Sequence, residues 1–236
     1  MSLDDRIRII RTSPRPADKI RALQEIDKLY REDPNGEDYG FSLLPQDIVD
    51  LLEKKWAWEA SQKKPKSNCH WVPSDHRNGT GLCIGDQNYI IPRNKYDNVR
   101  QLPLRLLHIE SGIQGIYYFN GQPDFSPCAY DSVKVEGYSF IRYQADMTQE
   151  EKLLEECIQE RAIKQFALKW GWGQGQDAIE RVRNFLSNLD EPDFTKRRLY
   201  VLHECIDLET VMIVPREIHA FYKHSGGISL YEAVFK

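Results

Sequence analysis

The chain has 236 residues, 41% hydrophobic and 29% charged, a balance that excludes a disordered polymer and suits one large domain or a domain with a substantial extension. Its formal net charge of −4 argues against whole-surface attraction to nucleic acid, leaving such contact to a local cluster or a bound cation. No apolar run approaches the roughly 20 residues that a membrane span needs, so no membrane insertion is expected.

The opening stretch, "MSLDDRIRIIRTSPRP", scatters charges where a secretory signal has a continuous apolar core, so synthesis in the cytoplasm without a signal peptide is expected. Cys69, Cys83, Cys128, Cys157 and Cys205 are odd in number and form no CxxC pair, the pattern of reduced thiols. Residues 1–60 read as helical. In "PADKIRALQEIDKLYRED", Ile20, Leu23, Ile26 and Leu29 recur at three-residue steps, which predicts an amphipathic helix that "DPNGEDYG" breaks. "LLPQDIVDLLEKKWAWEASQKK" predicts a second helix, with Pro45 in its first turn and Ile48, Leu51, Leu52 and Trp56 buried. Residues 61–100 are loop-rich with short strands, and "CHWVPSDHRNGTGLC" within them fits no standard zinc module.

Near residue 105 the pattern changes. Residues 116–119 read as a strand, Asn120 and Gly121 as a turn, and residues 132–136 as another strand after a Pro-rich loop. "MTQEEKLLEECIQERAIKQFALKW" is the clearest helix: Thr148 and Glu151 suit a capping box, and Leu154, Cys157, Ile158 and Ala162 line one face. "GWGQGQ" misses the dinucleotide-binding register and reads as a helix break before the short helix "DAIERVRNFLSNL". Trp170 and Trp172 read as core aromatics.

Three of the six histidines fall in the last fifth of the chain. "RLYVLH" reads as a strand, "CIDLET" as a polar turn, "VMIV" as a second strand, and "PREIHAFYKH" as a helix opened by Pro215 and ended by Ser225, Gly226 and Gly227. A strand–turn–strand–helix unit this short can hold a divalent ion between its first strand and its helix. Neutral imidazoles are natural ligands for a borderline transition metal, and a carboxylate such as Glu204 can serve as a base. Hydrolysing a phosphodiester needs both, a cation at the phosphoryl oxygens and a base for the attacking water.

"LHE", "TVMIVPREIHAFYKHSGG" and the upstream "NGQPDFSPCA" together resemble the HNH/endonuclease VII superfamily of ββα-metal nucleases, and are most similar to its WHH, LHH and GH-E toxin branches. The resemblance runs from about Ser111 to the C-terminus, and its specific part is residues 199–227. It implies an endonuclease that hydrolyses DNA with low sequence specificity, acting as an antibacterial polymorphic-toxin effector. It further implies a cognate immunity protein as partner and delivery by a secretion system into a target-cell cytoplasm.

Carried over by position, His203 binds the divalent metal ion (Zn, Ni, Mg or Mn), and His219 and His224 complete its site. Glu204 stands where a histidine usually acts as general base, so the base is a carboxylate here or His203 and Glu204 exchange roles. Asp124 and Phe125 match a "PDF" element of unassigned role. His219 and His224 are five residues apart and share no face of a helix with about 3.6 residues per turn. His224 therefore sits beyond a distorted helix end or contacts phosphate. Lys196, Arg197, Arg198 and Lys223 are candidates to grip the flanking phosphates.

The expected architecture is α+β: a helical, loop-rich N-terminal region over residues 1–105, then a ββα-metal nuclease domain over residues 106–236. Residues 1–60 are expected to contribute no group to the catalytic centre. Neighbouring side chains on a strand point to opposite faces, so Glu204 joins His203 at one ion only if the strand ends or bulges there. An RNA-cleaving relative and a non-catalytic binding module on the same frame are the alternatives.

Overall fold

A computed structural model describes residues 1–33, 44–61, 69–72, 80–92, 100–119, 121–135, 158–187, 199–222, 224 and 227–236. The chain opens with three helices: α1 (Leu3–Thr12), α2 (Pro16–Glu32) and α3 (Gln46–Ser61). The three-residue spacing read from the sequence places Ile20, Leu23 and Ile26 on the buried face of α2, with Ile48 and Leu52 of α3 packed in the same cluster. Burying each such side chain is worth about 1.5–3 kcal/mol.

Strands β1 (Cys69–Val72) and β2 (Gly81–Gly85), helix α4 (Leu104–Ser111), and strands β3 (Ile116–Phe119) and β4 (Gln122–Asp124) follow. They give an antiparallel sheet of order β1-β2-β3-β4, in which Gly121 makes the β3–β4 turn at a φ of 78°. Next come β5 (Asp131–Lys134), helices α5 (Ile158–Lys169) and α6 (Gln176–Ser187), strands β6 (Tyr200–Glu204) and β7 (Thr210–Pro215), and helices α7 (Arg216–Phe221) and α8 (Gly227–Phe235). The second sheet has the order β5-β7-β6. One face of it, through Val211 and Ile213, packs on Phe166 of α5 and Val182 of α6. On the other side, Val214 packs with Ile218 and Tyr222 against Cys83, Leu104 and Ile116. The mixed α+β class is as expected, and Trp170 and Trp172 pack at the edge of the second core.

Two expectations meet a different arrangement. The boundary at 105/106 separates no cores: β2 pairs with β3 across it, and α1, α2 and α3 share one hydrophobic cluster with Leu208, Leu230 and Val234. The reason is that Leu230 and Val234 of α8 bury against the N-terminal helices together with Leu208 of the β6–β7 turn. Gly227 also does not end a helix but begins α8. A Cβ there would lie 2.4 Å from Leu208 and 2.8 Å from the Cys205 carbonyl, so glycine allows α8 to start against the β6–β7 turn. Thr148, Glu151, Leu154, Cys157, Asn120, Ser225 and Gly226 lie outside the described residues.

Candidate metal centre

The β6–β7 turn is fixed before any ligand is considered. Asp207 Oδ1 accepts hydrogen bonds from the backbone N–H of Glu209 (3.1 Å) and Thr210 (2.8 Å), and Leu208, buried at a φ of 63°, takes the left-handed position. From outside, Arg15 and Arg21 each reach Glu209 at 2.6 Å. This turn sets the register of β6 on β7, in which His203 stands opposite Met212 and Glu204 opposite Val211.

Helix α7 follows β7 directly, with Pro215 at its head. Its Glu217, fully buried, binds Arg100 at 2.9 Å, and Arg100 also grips Glu110 of α4 at 2.6 and 3.2 Å. Gly85 allows the close approach of this helix, since a Cβ there would lie 2.5 Å from Phe221. The helix ends at Phe221, one turn shorter than "PREIHAFYKH" suggests. Tyr222 leaves it with φ −84° and ψ 81°, and the chain folds back so that His224 Nδ1 lies 3.3 Å from the Tyr222 carbonyl. The awkward five-residue spacing is resolved by this exit: His224 sits beyond the helix end, as one of the two options required.

His203, His219 and His224 converge. One ring nitrogen of each lies within 4.8 Å of the others, and the ring centroids are 5.4, 4.7 and 5.0 Å apart. Phe125, 1% exposed, packs against all three at 4.8, 5.4 and 5.5 Å. That gives half of the "PDF" element a physical task, namely holding the three rings in one geometry. Burial, with the nearby His224 and His219, pushes the His203 pKa down to about 2. Burial and His224 push His219 to about 3, and burial lowers His224. All three are therefore neutral at pH 7 and offer lone pairs, the state that metal binding requires. Among the described residues this is the one group of three or more potential ligands that meets at a point.

Glu204 is a different matter. The β6–β7 pairing runs unbroken through Glu204↔Val211, and the Cys205 N–H continues it to the Thr210 carbonyl at 2.9 Å. β6 ends at Glu204 without a bulge, and the pairing carries on through Cys205, so the regular alternation of side chains holds at Glu204. Directly opposed residues share a face, so Glu204 lies on the side of Val211, with Tyr200 and Leu202 against the second core, while His203 lies on the side of Met212. Strand alternation thus sets Glu204 and His203 on opposite faces of β6. Lys196, Arg197, Arg198 and Lys223 lie outside the described residues.

A cavity of about 790 Å³ opens on His203, and its other wall is N-terminal. Asp27, Lys28 and Arg31 of α2 and Lys55 and Glu59 of α3 line it, facing Phe119, Asp124, Phe125 and Cys205. Residues 1–60 thus wall the cavity beside the three histidines without adding, among the described residues, a ligand to them. The wall is charged but self-neutralised: Asp27 accepts from Lys55 (2.6 Å) and Arg31 (2.9 Å), and Arg31 also binds Glu59 (2.9 Å).

Sequence reasoning missed His108, 2% exposed, whose Nε2 lies 2.9 Å from the Tyr222 hydroxyl while Gln87 approaches its Nδ1 at 3.4 Å. The available signal was its place at i+4 from Leu104 and i+1 from Leu107, on the buried face of a short helix. Nothing in the sequence marked Glu209 as the partner of two distant arginines. No family model, curated protein or solved structure matches the chain.

Proposed function

We propose that this chain is a metal-dependent endonuclease that hydrolyses DNA phosphodiesters with low sequence specificity. The observation that carries the reading is the convergence of three neutral imidazoles, one buried and two half-buried, from a strand, a helix and the segment just beyond it. The donor set fits a borderline ion: three nitrogens suit Zn or Ni, whereas Mg and Mn prefer oxygen ligands. Such an ion, when bound, supplies Lewis acidity toward a phosphoryl oxygen and makes water more acidic.

The chain's own part is to hold and orient. His203, His219 and His224 bind, Phe125 fixes their rings, and the Nδ1 contact of His224 with the Tyr222 carbonyl leaves its Nε2 for the ion. With Glu204 on the other face, the proton-accepting role passes to Asp124, the neighbour of Phe125 that lines the same cavity as His203. An antibacterial effector role, an immunity protein as partner and delivery into a target-cell cytoplasm belong to the same proposal and rest on the sequence resemblance. A second reading, a binding module that keeps the metal and lacks the chemistry, is favoured by the orientation of Glu204.

The test is cleavage of DNA and RNA by the purified full chain, with and without chelator. DNA cleavage that chelator abolishes is expected. His203→Ala should lose both metal and activity, Asp124→Asn should lose about 10²–10⁴-fold in rate with metal retained, and Glu204→Gln should stay near the parent. Metal binding without cleavage of either polymer supports the binding module, cleavage of RNA alone moves the substrate, and chelator-resistant cleavage sinks the reading.

A further inference from the structure

The exposed face of the β1-β2-β3-β4 sheet is aromatic where it meets the cavity. Tyr117 and Phe119, 47% and 64% exposed, are two residues apart on β3 and so share a face, about 7 Å apart along the strand. Tyr117 stands between Leu82 and Asp124, and Phe119 stands opposite Gln122. Phe119, Gln122 and Asp124 line the same cavity as His203, so the Phe119 end of this face opens on the space that reaches the candidate metal centre.

We infer that Tyr117 and Phe119 are a stacking platform for unpaired nucleobases, and that the strand led to the three histidines is single-stranded. The inference rests on the nuclease reading and names its substrate class. In a duplex each base face is already covered by its neighbours, so exposed rings gain nothing from it; an unpaired strand offers a free π-face at every nucleotide. The cavity wall facing the platform favours the same choice. Its Asp27, Arg31, Lys55 and Glu59 are paired with one another, which leaves little net positive charge to hold the dense phosphates of a duplex. A strand gripped by stacking on Phe119 brings its next phosphate toward His203.

The experiment measures binding of the metal-free full chain, in chelator, to a fluorescent oligodeoxythymidine and to a duplex of equal length. Tighter binding of the single strand is expected, weakened about 5- to 150-fold by Phe119→Ala and again by Tyr117→Ala, the factor that stacking of about 1–3 kcal/mol on one ring supplies. Nickel titration of the variants should be unchanged, since neither ring touches the histidines. Equal binding of both polymers, or alanine variants that bind like the parent, overturns the platform even if the chain cleaves DNA. Self-association abolished by the same substitutions assigns the face to a second copy instead and also overturns it. Ring-dependent single-strand binding by a chain that never cleaves leaves the platform standing and removes the nuclease reading.

Discussion

His108 shows how much a single buried side chain decides. It lies 2% exposed between Gln87 and Tyr222, stacked on the Tyr222 ring at 5.8 Å, and burial lowers its pKa to about 4. In the unfolded chain a histidine titrates near 6.5, so between about 6.5 and about 4 the unfolded state binds the extra proton. The stability that the neutral ring contributes is therefore complete above about pH 6.5 and is lost as pH falls toward 4. Melting temperatures of the metal-free protein should drop across that window. In His108→Gln the acid limb should be shallower by at most about 1.4 kcal/mol per pH unit, the slope due to one proton. An unchanged limb would mean that His108 does not titrate with unfolding. Since Tyr222 precedes the turn back to His224, the same contact also fixes where the third imidazole begins its return.

At the scale of elements, the β6–β7 hairpin is held by a helix almost 190 residues earlier in the chain. Glu209, 6% exposed, accepts from Arg15 and Arg21, whose own side chains are 43% and 48% exposed. Glu209→Ala returns both arginines to water, so the cost is the lost charge-assisted bonds, about 1–3 kcal/mol. Urea unfolding should show a lower midpoint with an unchanged slope. A midpoint equal to the parent's would show that the ion pairs only decorate the junction, as many exposed pairs do.

The whole molecule is tied together through shared cores. A fragment of residues 106–236 would strip β3 of β2, take Cys83 and Leu104 away from Ile218 and Tyr222, and expose Leu208, Leu230 and Val234. Each uncovered side chain forfeits about 1.5–3 kcal/mol, and the sum is comparable to the roughly 5–15 kcal/mol by which domains are stable. That fragment should show no cooperative unfolding transition and no metal-dependent cleavage. A folded, active fragment would restore the division at residue 105 and make the N-terminal helices dispensable.

The sequence alone determined what local periodicity and turn chemistry determine. The three-residue spacing of Ile20, Leu23 and Ile26 specified α2, and Gly121 marked the turn between β3 and β4. The run from Tyr200 to Pro215 specified two strands and the turn between them, because alternation, capping and glycine preferences act over a few residues. The histidines of the candidate site were legible for the same reason, since they lie on one compact unit. Only the tertiary structure decided which side each neighbour of that unit occupies. Glu204 turns from the histidines because Val211 pairs with it and faces the α5–α6 core, a constraint set by residues far away in the chain. His224 joins them because Tyr222 breaks from the helix against His108, and α2 and α3 wall the cavity because Leu230 and Val234 of α8 bury against the N-terminal helices. Burial and ion pairing between distant segments leave no local mark in the sequence, and these are the contacts that turn three histidines into a site.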